Sequence, residues 1–586
     1  MNTDQKYTPI KTDIESMRHS FAHILAQAVL TLYPGTKMGI GPATEHGFYY
    51  DLEISQKLSA ENLPQIEAEM RRIINEELPF KQITIPRDQA FDTLLQLGQI
   101  YKTELLQQVP DEQISFYKTG EEFIDLCRGP HVQHTGQLKA FKLTGISGVY
   151  WLGDSSRPQM QRIEGVAFAT KEELMEYLAK QEELKLRDHT KMAKELNLFV
   201  FNETTGSLLP FWLPHGYILK QELQHYIETL LKENNFQFVE TPEISKVNFI
   251  NIDKYRNYKA RSYLPSFIID EEEYVLRADS SDQHFAVFLN NKRSYRDLPF
   301  KLAEFAVTYQ QDTAHLSGLL SAHRFTRISS HIFCKQSEIE DQLIKLISLI
   351  TGFYHTLGLD KYKIQLCLPN KQKSNLYIEN QPKWKLAVNK IEKTLSKTNL
   401  AAKGIEGRAE FYGPALRFYI KDVFERDWEL SSIKLDLIQS RAYGLRYFNA
   451  EGKERKPAVI HFDLIDSLER LIALIIENSG GDFPVWLAPV QVLLIPISEK
   501  YNEAAYKVQK TLAENKIRSY LDDRDESMQA KIREAQLERI PYMLIIGEKE
   551  LRTNSVSVRP RTGQDLGLLR LEEFLAKISE EIAKKS

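Results

Sequence analysis

Apolar residues at Ile14, Met17, Phe21, Ile24, Ala28 and Leu32 repeat at helical spacing, and Pro34 ends the run. A helix is therefore predicted there, with His19 and His23 four residues apart on one face beside the apolar stripe. GFYYDLEI and FKLTGISGVYWLG read as short strands in the same region, residues 1–168. Residues 169–199 are charged, carry apolar positions at helical spacing and contain no Gly or Pro, which predicts one connecting helix. The block 200–485 alternates, as in SFIIDEEEYVLRAD, RFYIKDVFERDWELSSIKLDL and VIHFDLI, and predicts an antiparallel sheet. Helices are expected within it at 215–234, 335–355 and 465–478. From 486 to 586 strand-like runs (VQVLLIPI, IRSYLDD, PYMLIIGEKE, SVSVRP) alternate with helical ones, the rhythm of a small α/β domain with a mostly parallel sheet.

A chain of 586 residues has room for several domains of this kind. The formal charge of −4 excludes a uniformly basic nucleic-acid binder but not a basic face on one domain. Three cysteines (Cys127, Cys334, Cys367) cannot build a disulfide framework and fit a reducing, cytoplasmic setting. The N-terminal residues do not read as a signal or transit peptide. No apolar run approaches the roughly 20 residues that span a bilayer.

Position 20 is Ser, so the histidine pair lacks the general base of an HExxH metalloprotease. A second reactive cluster lies in DLCRGPHVQH, where Gly129 and Pro130 predict a turn between Cys127 and His131. Three imidazoles and a thiol can be read in two ways. They make a zinc ligand set, or they position and deprotonate a water in a hydrolytic site.

HSFAH, KMGIGPATEHGFYYD, DLCRGPHV and YWLGDSSRPQMQRIEG resemble the editing domain of threonyl-tRNA synthetases. SYRDLPFKLAEF, HRFTRISSHIFC, AEFYGPALRFYIKD, HFDLIDSLERLIALIIE and GGDFPVWLAPVQV resemble the class II catalytic core of that family and its junction with the anticodon-binding domain. The resemblance implies a multidomain α+β chain: an editing domain (1–168), a linker helix (169–199), an antiparallel-sheet core (200–485) and an α/β anticodon-binding domain (486–586). The small ubiquitin-like domain that many members carry ahead of the editing domain has no match in these residues.

The resemblance also assigns roles. The family's editing pocket hydrolyses serine wrongly attached to threonine tRNA, and its motifs fall on His19, His23, Cys127, His131, Asp125, Tyr50 and, more loosely aligned, Lys102. A second sieve is needed because one methyl group separates Ser from Thr by only ~1–3 kcal/mol. In the core, the family's zinc ligands fall on His331, His461 and Ser281, the last in place of a Cys, which leaves a weak third ligand. Gln310 stands at the motif 2 arginine and Asp312 at the accompanying glutamate. Arg327, Ser329, Ala415 and Asp466 stand where the family has Gln, Asp, Lys and Gly. Arg470 and Tyr412 keep their motif identities, as does Pro242 near the dimer interface. Glu550, Arg559 and Arg561 are the anticodon-reading candidates, and Lys531, Arg533 and Arg539 are candidate phosphate contacts.

Three readings follow from this pattern. In the first, the chain edits Ser-tRNA(Thr) while its ATP-dependent adenylation is impaired. In the second, it is a full threonine–tRNA ligase using ATP and Mg, with His323, Arg324 and Arg327 supplying the missing cations. In the third, it only binds tRNA or a partner synthetase. A homodimer through the core, without a membrane, is the expected assembly.

Overall fold

The structure is a computed structural model describing residues 14–154, 157–206, 208–246, 266–310, 318–370 and 377–585. The chain divides into two units, Met1–Glu183 and Leu184–Ser586.

In the first unit the predicted helix runs Ile14–Leu32, and the chain turns out of it at Pro34 and Gly35, whose φ is +85°. Its apolar face (Phe21, Ile24, Leu25, Ala28) packs with Phe48, Tyr50 and Leu52 of the strand Gly47–Glu53 and with the helix Leu63–Asn75. That strand belongs to a four-stranded antiparallel sheet with Lys37–Met38, Gln159–Phe168 and Ala140–Tyr150. A smaller antiparallel sheet joins Phe80–Pro86, Gln113–Thr119 and Phe123–Leu126. The helices Arg87–Gln96 and Ile100–Gln107 share a core with it around Leu94, Leu106 and Phe116.

The connecting segment is two helices, Lys171–Leu186 and His189–Glu195, rather than one. The Asp188 carboxylate accepts from Thr190 N and Lys191 N, so it starts a new helix where the apolar spacing alone runs on.

The second unit is built on an eight-stranded sheet. Its six central strands, from Phe300–Tyr309 to Tyr362–Leu368, pair antiparallel, and only the two edge strands, Gln237–Phe238 and Ala402–Glu406, pair parallel. The expected helices lie at Pro214–Glu233, Ile339–Thr356 and Leu468–Ser479. The strand Ala458–Ile465 is buried along its whole length, as a central strand covered on both faces must be. The terminal five-stranded sheet is mixed. Ser519–Leu521, Val492–Pro496 and Tyr542–Ile546 are parallel, whereas Ser555–Pro560 and Gly567–Arg570 pair antiparallel. The short helix Glu548–Thr553 is too brief a connection for a parallel crossover, so the chain returns antiparallel. Among the described residues no helix is long and apolar enough to cross a membrane.

Candidate functional sites

The histidines His19 and His23 project from successive turns of the helix Ile14–Leu32, with ring centroids 5.3 Å apart. Cys127 and His131 meet them from the loop that follows the strand Phe123–Leu126. Cys127 Sγ lies 3.4 Å from His19 Nε2 and 3.3 Å from His131 Nε2, and it accepts from Gly129 N at 3.2 Å. One donor atom from each of the four residues falls within 4.8 Å of the others. Beneath them Asp125, buried at 2 % exposure, accepts from Tyr50 OH at 2.5 Å and pairs with Lys102 Nζ at 2.7 Å. Its Oδ2 also lies 3.7 Å from His23 Nε2. All seven residues expected from the sequence are thus brought together, including Lys102, which arrives on the helix Ile100–Gln107.

Burial dominates the electrostatics of this cluster. Desolvation pushes all three imidazole pKa values down, most strongly for His23 and His131, where neighbouring imidazoles add to it. It pushes the Cys127 thiol up to about 11. At neutral pH the site therefore presents neutral imidazoles beside a protonated thiol, with a carboxylate behind. His23 Nδ1 is buried and has no protein hydrogen-bond partner, so it is open to a hydrogen bond or a ligand. Sequence reasoning passed over Ser20, whose hydroxyl lies 3.0 Å from His131 Nδ1. Its position between the two histidines was the available signal.

The core holds a second site, a cavity of about 250 Å³ over the large sheet. Ser281, His331 and His461 do come together: His331 Nε2 is 3.0 Å from His461 Nδ1 and 3.2 Å from Ser281 Oγ. His331 Nδ1 in turn meets His284 Nδ1 at 2.9 Å, and the chain of rings ends on Glu304 and Asp436. Two imidazoles already bonded to one another and one neutral hydroxyl do not fit zinc, which takes thiolate, imidazole or carboxylate donors. Tyr412 stacks on His461 at 4.6 Å.

Cations line this cavity, yet each is held by a carboxylate of the same cavity. Arg327 pairs with Asp466 at 2.7 Å, Arg417 with Glu410 and Glu429 at 2.9 Å each, and Lys434 with Asp463 at 2.9 Å. Burial pushes the Glu429 carboxyl up; at Asp466 burial is outweighed by Arg327 and Arg470, which hold its carboxyl below the usual range. Arg470 donates to the Leu320 and Glu429 carbonyls as well as to Asp466. Gln310 does not line the cavity; its amide donates to the Ala322 carbonyl at 2.9 Å. Asp312 lies outside the described residues. Sequence comparison singled out Arg327 and Asp466 but missed that Arg417, Glu410, Glu429, Lys434 and Asp463 complete the network.

In the terminal sheet Glu550 accepts from Gly547 N at 3.0 Å, and Arg559 reaches Asp565 at 3.4 Å from a half-exposed position. Arg561 spends its guanidinium on the Phe483 and Asp482 carbonyls. Lys531 is buried against the Asp522 carbonyl, so it is a structural cation rather than a phosphate contact; Arg533 is exposed, and exposed Arg539 lies 3.6 Å from Asp482.

Comparison with known proteins places this architecture. Residues 263–479 match the tRNA synthetase class II core domain (G, H, P, S and T), and 491–581 match an anticodon binding domain. Residues 114–164, which carry Asp125, Cys127 and His131, match the threonyl and alanyl tRNA synthetase second additional domain. The fold is that of a class II aminoacyl-tRNA synthetase with an appended editing domain. A threonine–tRNA ligase of Thermus thermophilus is 40% identical over 575 residues, covering 95% of this chain and 87% of the relative. That of Dehalococcoides mccartyi is 38% identical and covers 98% of both. The RNA binding domain of threonyl-tRNA synthetase from Cryptosporidium parvum superposes with a TM-score of 0.63 at 31% identity, over 67% of this chain and 98% of that one. The chain belongs to the threonyl-tRNA synthetase family.

Proposed function

We propose that this protein acts on threonine tRNA as an editing deacylase, hydrolysing Ser-tRNA(Thr), and that its ATP-dependent adenylation is impaired. The observation that carries the proposal is the internal neutralisation of the core cavity: Arg327, Arg417 and Lys434 are each paired to a carboxylate beside them. A triphosphate needs free, preorganised cations as its charge rearranges, and losing one such group costs ~10²–10³ in rate. Here Gln310 contributes none, and the zinc that would grip threonine lacks its thiolate at Ser281.

The editing cluster keeps every group that hydrolysis requires. His23 Nδ1 has an open lone pair and accepts a proton from a water lodged among His19, His23, Cys127 and His131. The hydroxide oxygen bonds to the seryl carbonyl carbon, the bond to the ribose oxygen breaks, and that oxygen takes the proton back. Asp125, fixed by Tyr50 and Lys102, faces the other nitrogen of His23 and stabilises the imidazolium formed in passing. One observation favours a second form of this chemistry. The four donors lie within 4.8 Å, so His19, His23, Cys127 and His131 would hold a zinc ion and it would lower the pKa of the same water.

The domains take the boundaries 1–168, 169–199, 200–485 and 486–586, with tRNA(Thr) docked through the last. A homodimer is part of the proposal: the strand Ser266–Ile269 exposes Phe267, Ile268 and Ile269, an apolar run that a partner subunit covers. The three free cysteines suit the cytoplasm. Two assays test the function: threonine-dependent ATP–pyrophosphate exchange and hydrolysis of Ser-tRNA(Thr). Hydrolysis without exchange is expected. Robust exchange would establish an ordinary ligase, the reading that the high identity to threonine–tRNA ligases supports.

A further inference from the structure

Ser20 lies between the two histidines on the helix Ile14–Leu32 and is fully buried. Its hydroxyl has three neighbours: Ser16 O at 2.8 Å, Val132 N at 3.0 Å and His131 Nδ1 at 3.0 Å. A hydroxyl carries one hydrogen and two acceptor lone pairs. The Ser16 carbonyl can only accept, so an oxygen–oxygen approach of 2.8 Å places the hydroxyl hydrogen on that line. The Val132 N–H occupies one lone pair. The remaining lone pair faces His131 Nδ1, and two lone pairs would repel at this distance, so Nδ1 carries a hydrogen. In a neutral imidazole the other nitrogen is then bare, and that nitrogen, Nε2, lies 3.3 Å from Cys127 Sγ.

We propose that Ser20 is a positioning residue of the deacylation site: it holds His131 as the Nδ1–H tautomer and turns the Nε2 lone pair toward Cys127 and the reacting water. The catalytic part of this inference rests on the deacylase reading; the tautomer rests on hydrogen-bond geometry alone. The stacking of Phe80 on His131, at 5.0 Å and 2° between planes, holds the ring in the same orientation. Ser20 also ties the backbone of Val132, in the loop carrying His131, to the helix carrying His19 and His23. One side chain thus couples the two halves of the cluster.

The test is long-range ¹H–¹⁵N correlation of the full chain with ¹⁵N-labelled histidine at pH 7.5, with His131 assigned by loss of its signals in His131→Gln. The expected wild-type spectrum has a protonated Nδ1 and a bare Nε2 at His131. Ser20→Ala should shift that ring toward the Nε2–H form and lower kcat for Ser-tRNA(Thr) hydrolysis by roughly tenfold to a hundredfold at unchanged KM. Ser20→Thr, which keeps the hydroxyl, should restore both. The wild-type spectrum decides the tautomer whether or not the alanine variant folds. Active protein with Nε2–H at His131, or Ser20→Ala with tautomer and kcat unchanged, overturns the role of Ser20 alone. Nδ1–H in a wild type that hydrolyses no Ser-tRNA(Thr) overturns the deacylase reading and the catalytic part of this one with it.

Discussion

Arg470 Nη1 donates to Asp466 Oδ2 at 3.0 Å, one helical turn earlier in the chain, while Arg327 grips the other oxygen of the same carboxylate at 2.7 Å. Arg470 is therefore already satisfied by protein partners, the Leu320 and Glu429 carbonyls among them. A triphosphate would have to displace Asp466 and bring its own charge near the remaining carboxylates of the cavity. Wild-type protein is expected to show threonine-dependent ATP–pyrophosphate exchange no higher than its no-amino-acid control. Asp466→Gly should tighten ATP by about tenfold, equivalent to ~1.4 kcal/mol of relieved repulsion. It should also lower stability by about 1–3 kcal/mol, because Arg327 loses its partner. Calorimetric titration with ATP checks the first effect and a denaturant melt the second; unchanged ATP affinity would show that Asp466 is not the obstacle.

In the proposed deacylation cluster the Asp125 side chain behind His23 is as testable as the imidazole itself. His23→Ala should lower Ser-tRNA(Thr) hydrolysis by ~10²–10⁴, the span of a lost general base. Asp125→Asn should lower it by roughly tenfold or more, since the neutral amide stabilises an imidazolium less well and leaves Lys102 buried without its partner. Initial rates with preformed Ser-tRNA(Thr) measure both. A chelator separates the two forms of the mechanism: water activated by imidazole alone leaves the rate unchanged, whereas a bound ion makes it fall.

The depressed imidazole pKa values also set a pH dependence of stability. His19, His23 and His131 are held neutral in the folded state, mainly by burial, while an unfolded chain protonates them near pH 6.5. Below that pH the unfolded state binds more protons, so stability falls as pH falls. Above it the full stability is present. The upper limit is about 1.4 kcal/mol per pH unit for each histidine. Relative to the intrinsic exchange rate, which itself slows as pH falls, amide protection across Ile14–Leu32 should therefore drop between pH 6.5 and 5.5. In His23→Gln, which removes one titrating ring, the drop in protection should be smaller.

The order of elements was legible from the hydrophobic pattern because most of them bury a regular apolar face. The helix Ile14–Leu32 and the alternating strands of the large sheet follow from spacing alone. Capping and topology were harder to read. Asp188 breaks a helix through two backbone hydrogen bonds, and a short connection reverses the strand Ser555–Pro560; neither leaves a mark in apolar periodicity. Convergence of His19, His23, Cys127 and His131 was legible from motifs, since they lie in two dense clusters. The charge network around Arg417 was not, because Glu410 lies in a loop, Glu429 and Lys434 on the strand Asp427–Asp436 and Asp463 on the strand Ala458–Ile465, and each reads as an ordinary polar position. Only the fold shows that they neutralise one another.

Ser281 offers a gain-of-function test. His331 and His461 already stand 3.0 Å apart with Ser281 Oγ 3.2 Å from the first, so a thiolate in its place would complete a three-ligand zinc site. Ser281→Cys should raise bound zinc by about one ion per chain relative to wild type, measured by elemental analysis after dialysis. Exchange activity should stay low, because the Asp466 contacts to Arg327 and Arg470 persist.

Arg559 and Arg561 are two residues apart yet differ in what surrounds them. Arg561 donates to the carbonyls of Phe483 and Asp482, so its charge is spent inside the protein. Arg559 is held only by a long contact to the half-exposed Asp565, at 3.4 Å, and its Nε has no partner. An arginine in that condition can turn its planar donors onto a base edge, where each good pair is worth ~1–3 kcal/mol. Arg559→Ala is therefore expected to weaken tRNA(Thr) binding by roughly tenfold, with the loss concentrated on anticodon sequence rather than on salt dependence. Arg561→Ala should lower the melting temperature and leave anticodon discrimination intact. Filter binding of tRNA(Thr) and an anticodon variant to both proteins separates the two. If Arg559→Ala binds both RNAs as wild type does, the anticodon contact must lie elsewhere on this domain.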